Sequence, residues 1–173
     1  MKRLNLIGFL FLALLATLLF LGGCGGSGDG RPVGHAADPS LNEIAGTWEA
    51  SDGAGEIILG EIVVPVTSVL VKMTLSPSEP PLLSCSYGLK PSDLPPGLLP
   101  DALQKEREYQ REDFSKIEKA KEGVFIFTFK KTSQRSGSIT FTLRDQNTLD
   151  VVEKGTRSLG DEVRELKYRL SRI

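Results

Sequence analysis

The sequence predicts an all-β domain, an antiparallel meander over residues 41–173. Three observations predict it. Apolar residues recur with period two in at least five segments. Short polar turns separate those segments at regular spacing. The repeating face of each segment is bulky and apolar while the other face is polar, the pattern of half-buried antiparallel strands.

The elements follow in order. Ile44 to Glu49 opens the domain. From Ile57 to Val66 the chain is apolar but irregular, with Gly60 and Pro65 inside. Pro65 cannot donate to a ladder and belongs at an edge, a bulge or a loop. The segment reads as a strand around Glu56–Leu59, a break, and a strand from about Val66. The apolar break is either core, the mouth of a barrel, or a contact for a partner. Val69, Val71, Met73 and Leu75 then alternate with polar neighbours, and Leu83, Cys85 and Tyr87 share one face of the next alternation.

Pro80–Pro81, Pro91, Pro95–Pro96 and Pro100 mark a long proline-rich loop. One short helix is expected from Asp101 to about Arg111, with aspartate and proline at its start and an Asp101–Lys105 pair one turn apart. Between 101 and 122, 13 of 22 residues are charged. That stretch is either a solvated helix followed by an exposed edge strand, or a partner-docking surface together with the loop from residue 76. From Phe114 the chain returns to strand and pairs with Val124–Lys130. Glu122–Gly123 closes that hairpin. Phe125, Phe127 and Phe129 alternate next, then Ile139, Phe141 and Leu143, then Leu149 and Val151, then Leu166, Tyr168 and Leu170. Turns are expected at Ser133–Gly137, Asp145–Thr148 and Ser158–Asp161. Consecutive strands at this spacing favour a meander that closes on itself, which removes unpaired edges.

Composition narrows the chemistry. The single histidine, His35, sits in a glycine- and proline-rich stretch without neighbours to tune it. No Ser/His/Asp set, metal-ligand spacing or phosphate loop occurs in the domain, so neither a catalytic residue, a metal nor a cofactor is expected, and the chain does not read as an enzyme. No basic stripe suggests nucleic acid.

The N-terminus carries a separate message. Lys2 and Arg3 precede an uncharged run from Leu6 to Leu21. Those 16 residues span about 24 Å as a helix, at ~1.5 Å per residue. A permanent span needs ~20. The run reads as a secretory signal over residues 1–23, with an uncleaved anchor helix as the alternative. Leu21-Gly22-Gly23-Cys24 resembles the lipobox of bacterial lipoproteins. That resemblance implies that the Cys24 thiol receives a diacylglyceryl group and becomes an acylated N-terminus, since stable anchoring takes more than one chain. Gly25 after it, in place of aspartate, implies the outer membrane of the envelope. Residues 24–40 form the tether, and 16 flexible residues reach roughly 22 Å. Loss of Lys2 and Arg3 from the 21 basic residues leaves 19 against 22 acidic ones, a net −3. Lipidation of Cys24 leaves Cys85 alone: a buried inert thiol, an intermolecular partner, or a nucleophile.

Gly46-Thr47-Trp48 resembles the Gly-X-Trp signature of lipocalins. The resemblance implies a lipocalin-like up-and-down barrel. It also implies that Leu41–Ala45 makes the short turn closing its base and that Arg172 packs over Trp48. Such a barrel is either filled or holds one small molecule. Val71, Met73, Cys85, Phe127, Phe141 and Tyr168 are the candidate lining or core residues, and the bulk of the phenylalanines favours filling. The functional expectation is a membrane-anchored envelope lipoprotein binding a small apolar ligand or lipid. Its alternative is a cavity-less module that meets an envelope protein through residues 76–122.

Overall fold

A computed structural model describes residues 39–50, 52–91, 103–159 and 162–173. Signal, lipobox and the tether up to residue 38, with Cys24 and His35, lie outside these residues; Pro39 and Ser40, expected at the end of the tether, instead begin the first 3-10 turn. Ten strands follow in chain order: β1 (Gly46–Ala50), β2 (Gly53–Leu59), β3 (Ile62–Leu75), β4 (Leu83–Pro91) and β5 (Leu103–Tyr109) form the first half. The second half comprises β6 (Phe114–Lys121), β7 (Val124–Phe129), β8 (Ser138–Asp145), β9 (Thr148–Thr156) and β10 (Glu162–Arg172). Among the described residues the helical content is two 3-10 turns, Pro39–Glu43 and Arg111–Asp113.

The ten strands occupy eight positions. β1 and β2 both pair with β3 on one side and β10 on the other, so they are two parts of one interrupted strand. The sheet path from β5 to β6 takes eight antiparallel steps, an even number, so these two strands run in the same direction. Residues 110–113 alone connect them; β5 pairs with β4 and β6 pairs with β7. They form a second interrupted strand. Eight positions in up-and-down order, with the first strand bonded to the last, make a closed lipocalin-like antiparallel barrel.

The expected alternation is present. Val69, Val71, Met73, Leu75, Phe125, Phe127, Phe129, Ile139, Phe141, Leu149, Val151, Leu166, Tyr168 and Leu170 are all buried. The turns at Glu122–Gly123 and Gln146–Asn147 fall where the sequence places them.

Three expectations need correction. The helix over Asp101–Arg111 is not formed; its described part is β5, whose register runs from Leu83↔Tyr109 to Leu89↔Leu103. The i,i+4 pair and low content of β-branched residues are worth only tenths of a kcal/mol, and a neighbouring strand with open hydrogen bonds outweighs them. Gln104, Glu106 and Glu108 are exposed while Lys105 and Arg107 are half-buried. The charge alternation therefore belongs to an edge strand. Likewise the proline-rich stretch is not one long loop, because β4 lies within it. The break expected between Leu59 and Val66 is a tight turn at Gly60–Glu61, and β3 begins at Ile62. Pro65 sits inside β3, opposite Glu56, where the β3·β4 ladder has ended near a register shift at Val66/Ser68. Among the described residues no strand pairs with β3 on that side, the edge position that proline tolerates.

The base of the barrel is built as the Gly-X-Trp resemblance implies. Leu41 and Ile44 of the first 3-10 turn are buried, and the Trp48 indole N–H donates to the Ile44 carbonyl at 3.0 Å. The Arg172 guanidinium lies 4.2 Å from the Trp48 ring centroid. Its remaining N–H groups donate to the carbonyls of Ala45 (2.7 Å), Gln146 (2.9 Å) and Glu43 (3.3 Å). One side chain thus ties the entry turn, β1, β10 and the β8–β9 turn together.

On the outer wall Asp150 accepts from Arg144 and Arg169, each at 2.6 Å. The Arg169 and Arg144 guanidinium groups hold its carboxyl below the usual range. A depressed carboxylate stabilises the fold above its unfolded pKa, and that contribution disappears as pH falls through the folded value. Asp150→Asn is therefore expected to cost about 1 kcal/mol or less at neutral pH, given partial solvent screening. In urea titrations the cost is expected to shrink as pH falls below the ordinary aspartate value of about 4.

Candidate functional site

The interior has two unlike halves. In one, five rings from four strands stack from the β5 edge to β8. Tyr109 meets Phe129 at 4.9 Å, Phe129 meets Phe114 at 4.7 Å, Phe114 meets Phe127 at 5.2 Å, and Phe127 meets Phe141 at 5.0 Å. These offset and edge-to-face contacts fill that half with side chains. Among the candidate lining residues, Phe127 and Phe141 are structural members of this stack.

The other half is polar at its centre. Glu153 is fully buried. Its Oε1 accepts from the Tyr168 hydroxyl at 2.6 Å, and its Oε2 accepts from the Thr156 and Ser158 hydroxyls, each at 2.9 Å. Thr156 and Ser158 are themselves buried, 3.2 Å apart at their oxygens. No ion pair to Glu153 exists among the described residues. Across the barrel, Tyr87 is buried; its hydroxyl lies near the Tyr168 hydroxyl and the Cys85 thiol but makes no well-formed hydrogen bond. Buried polar groups are otherwise almost always satisfied, so this phenol is a feature to be explained. Burial pushes the Tyr87 phenol well up, and the nearby Cys85, Glu153, Tyr168 and Tyr109 push it the same way. Tyr109 and Tyr168 are likewise raised, by burial first and by the Glu153 carboxylate among other causes. Three tyrosines therefore share the field of one carboxylate.

Local backbone geometry turns these groups inward. On β9 the strict alternation of Leu149, Val151 and Glu153 slips by one residue, so that Thr156 is also buried. Gly155 makes this possible with a left-handed φ of +61°. Gly137 lies against it, also left-handed at +76°, and a Cβ there would come 2.1 Å from the Lys154 carbonyl oxygen. Only glycine fits such a close approach of two backbones. The turn at Ser133–Gly137 is thus packed on Gly155, and Ser136 donates to the Gly155 carbonyl at 2.7 Å.

Cys85, Val71, Met73 and Tyr168, the remaining candidate lining residues, all face the core. Val71 is in register with Tyr87 and Met73 with Cys85. Burial, with Glu153 adding to it, drives the Cys85 thiol far above its ordinary value, which favours the inert thiol over the nucleophile. In the native full-length protein, iodoacetamide is expected to leave the Cys85 peptide unmodified over hours at pH 8, and to label it fully in guanidinium, as read by peptide mass. Rapid native labelling would show the site to be open to solvent.

Among the described residues β5 pairs only with β4. A groove of about 430 Å³ runs between β5 and the β7–β8 turn, lined by Arg107, Glu108, Tyr109, Ser133, Gln134, Arg135 and Arg157. Arg135 pairs with Asp113, while Arg107 and Arg157 donate to the carbonyls of Glu106 and Ser133. Tyr109 forms part of this groove and also lies in the field of Glu153. A second, larger groove of about 820 Å³ runs over β1, β3, β4 and β5, lined by Glu49, Leu70, Lys72 and Gly88 and also by the buried residues Val71 and Tyr87. Among the described residues no cluster of three metal-ligating side chains exists.

Glu153 escapes a reading of the sequence that stops at Leu149 and Val151. Carried two residues further, the same alternation places a carboxylate on the inner face. Tyr87 was visible as a core residue, but the lack of a well-formed hydrogen bond at its hydroxyl depends on the closed barrel. No family model, curated protein or solved structure matches the chain.

Proposed function

We propose that this chain is a lipid-anchored protein of the bacterial cell envelope, held at the outer membrane through Cys24, whose lipocalin-like barrel binds a small amphipathic molecule. It acts as a binder, not as an enzyme. The observation that carries the reading is a buried polar cluster inside the barrel, a carboxylate without a counter-charge among the described residues and a phenol whose hydroxyl makes no well-formed hydrogen bond. Buried polar groups that the protein leaves unmatched are suited to a ligand that matches them. Anchoring would keep the binding site within a tether's length of lipid headgroups.

The test uses full-length protein extracted from its own membrane in mild detergent. A native mass spectrum is expected to show a non-covalent adduct, and the N-terminal peptide is expected to start at an acylated Cys24. Cys24→Ser is expected to leave an unprocessed chain without acyl mass. A protein without an adduct sinks the binding role, and an unmodified Cys24 sinks the address.

One observation favours a second reading. Among the described residues the edge of β5 away from β4 pairs with no strand and lies beside a charged groove, as strand-adding partners require. An interaction module would give a protein cross-linked through Lys105 and no small-molecule adduct.

A further inference from the structure

We propose that the groove between β5 and the β7–β8 turn binds a phosphate monoester, held by Arg107, Arg135 and Arg157. This site stands apart from the barrel interior and does not depend on what the interior binds. The groove measures about 430 Å³, within the usual size of a small-molecule pocket. Three guanidinium groups line it from three stretches of chain: Arg107 from β5, Arg135 from the β7–β8 turn, and Arg157 from just beyond β9. Their charge needs no special surroundings, because a guanidinium stays protonated in proteins.

Their partners set two of these arginines apart. Arg144 and Arg169 pair with Asp150, Arg164 pairs with Glu56, and Arg172 rests on Trp48. Arg107 and Arg157 meet no carboxylate among the described residues. Each donates one N–H group to a main-chain carbonyl, Arg107 to Glu106 at 3.1 Å and Arg157 to Ser133 at 2.8 Å. A guanidinium carries five N–H donors, so most of each fork is left for another acceptor. Arg135 is held in place by Asp113, and its backbone N–H donates to the Thr132 hydroxyl at 3.0 Å. Two carboxylates bear on the groove. Asp113 is engaged by Arg135. Glu108 is exposed and follows Arg107 in an extended strand, so its side chain leaves by the opposite face of β5. Three cations against these two anions leave the groove positive, and a concave surface focuses that charge.

Forks that arrive from separate directions match a tetrahedral anion. A carboxylate has two oxygens in one plane and suits one fork. A phosphate monoester brings three oxygens and a charge of about −1.5 to −2 at pH 7. It can therefore meet a fork from β5 and a fork from the opposite side at once. Among the described residues no ladder joins β5 to the β7–β8 turn, so the bound group bridges them. The rest of the groove takes the esterified alcohol, which belongs to a soluble metabolite or to a lipid headgroup.

The test is calorimetric titration of the full-length protein in mild non-ionic detergent, at about pH 7.5, where the monoester is mostly doubly charged. The probes are glycerol 3-phosphate, glycerate, which carries a carboxylate instead, and dihexanoyl phosphatidic acid, the same phosphate on a lipid. Glycerol 3-phosphate is expected to bind at least about tenfold more tightly than glycerate. Arg107→Gln and Arg157→Gln are each expected to weaken it about tenfold, as for loss of a hydrogen bond to a charged group. The double variant is expected to lose measurable binding. Arg107→Lys keeps the charge and loses the fork, and its affinity is expected to fall between wild type and Arg107→Gln. Both arginines are partly or fully exposed, so the unfolding midpoints of the ligand-free variants are expected to stay near wild type. Lys72→Gln, outside this groove, is expected to keep the wild-type affinity. Tighter binding of phosphatidic acid than of glycerol 3-phosphate assigns the site to a headgroup, and the reverse assigns it to a soluble ester; either supports the phosphate site. Equal binding of phosphate and carboxylate, an affinity unchanged in the double variant, or no heat from any probe overturns it. None of those three results touches the reading of the barrel interior.

Discussion

Trp48→Ala is expected to lower the unfolding free energy by about 3–5 kcal/mol, the usual cost of removing a large buried aromatic ring. The ring is wholly buried, so most of its surface is transferred from water on folding. Its loss also orphans more than its own volume. The Ile44 carbonyl loses the indole N–H, and the guanidinium of Arg172 loses the face on which it rests. Arg172 in turn orders the carbonyls of Glu43, Ala45 and Gln146. The damage therefore spreads through the entry turn and the β8–β9 turn. For a domain of this size the melting temperature is expected to fall by on the order of 10–20 °C. A urea titration of the variant checks the free energy. A change below 1 kcal/mol would show that the base is not held through this residue.

Phe127→Ala carries the second largest expected effect, again about 3–5 kcal/mol. Phe127 is fully buried and stands between Phe114 and Phe141, at 5.2 and 5.0 Å. It is the link between the rings on the β5–β6 side and the rest of the core. Because β5 and β6 form an interrupted strand, no ladder spans the wall from β5 to β7 among the described residues. Side-chain packing holds that part of the barrel shut. The variant is expected to lose amide protection in β5 and β6 well before β1, β3 and β10, as measured by hydrogen exchange. Uniform loss across all strands would indicate that the ring stack does not serve as the closure.

Much of this barrel was legible because its core strands follow period two without exception over four to seven residues. Val69 to Leu75 and Phe125 to Phe129 leave only one choice of inner face. Trp48 and Arg172 were legible through the Gly-X-Trp resemblance and the phase of Arg172 relative to Leu170. Residues 101–111 were not, because local preference for a helix is worth less than the hydrogen bonds that β4 leaves open on one side. β4 itself was obscured by prolines at both ends. The site was the least legible part. Glu153 looks like an ordinary surface carboxylate until β9 is extended past Val151, and the slip at Gly155 that brings in Thr156 has no periodic signature. Tyr87, Ser158 and Glu153 are far apart in the chain or out of phase, and only barrel closure brings them into one field.

The most direct measurement is a high-resolution crystal structure of the full-length protein purified from its native membrane without added ligand. A ligand-binding barrel predicts continuous density between the Tyr87 hydroxyl and the Glu153 carboxylate, belonging to neither side chain and extending along Val71 and Met73. A Tyr87 hydroxyl bonded directly to Glu153, with the two side chains packed and no density between them, would contradict it.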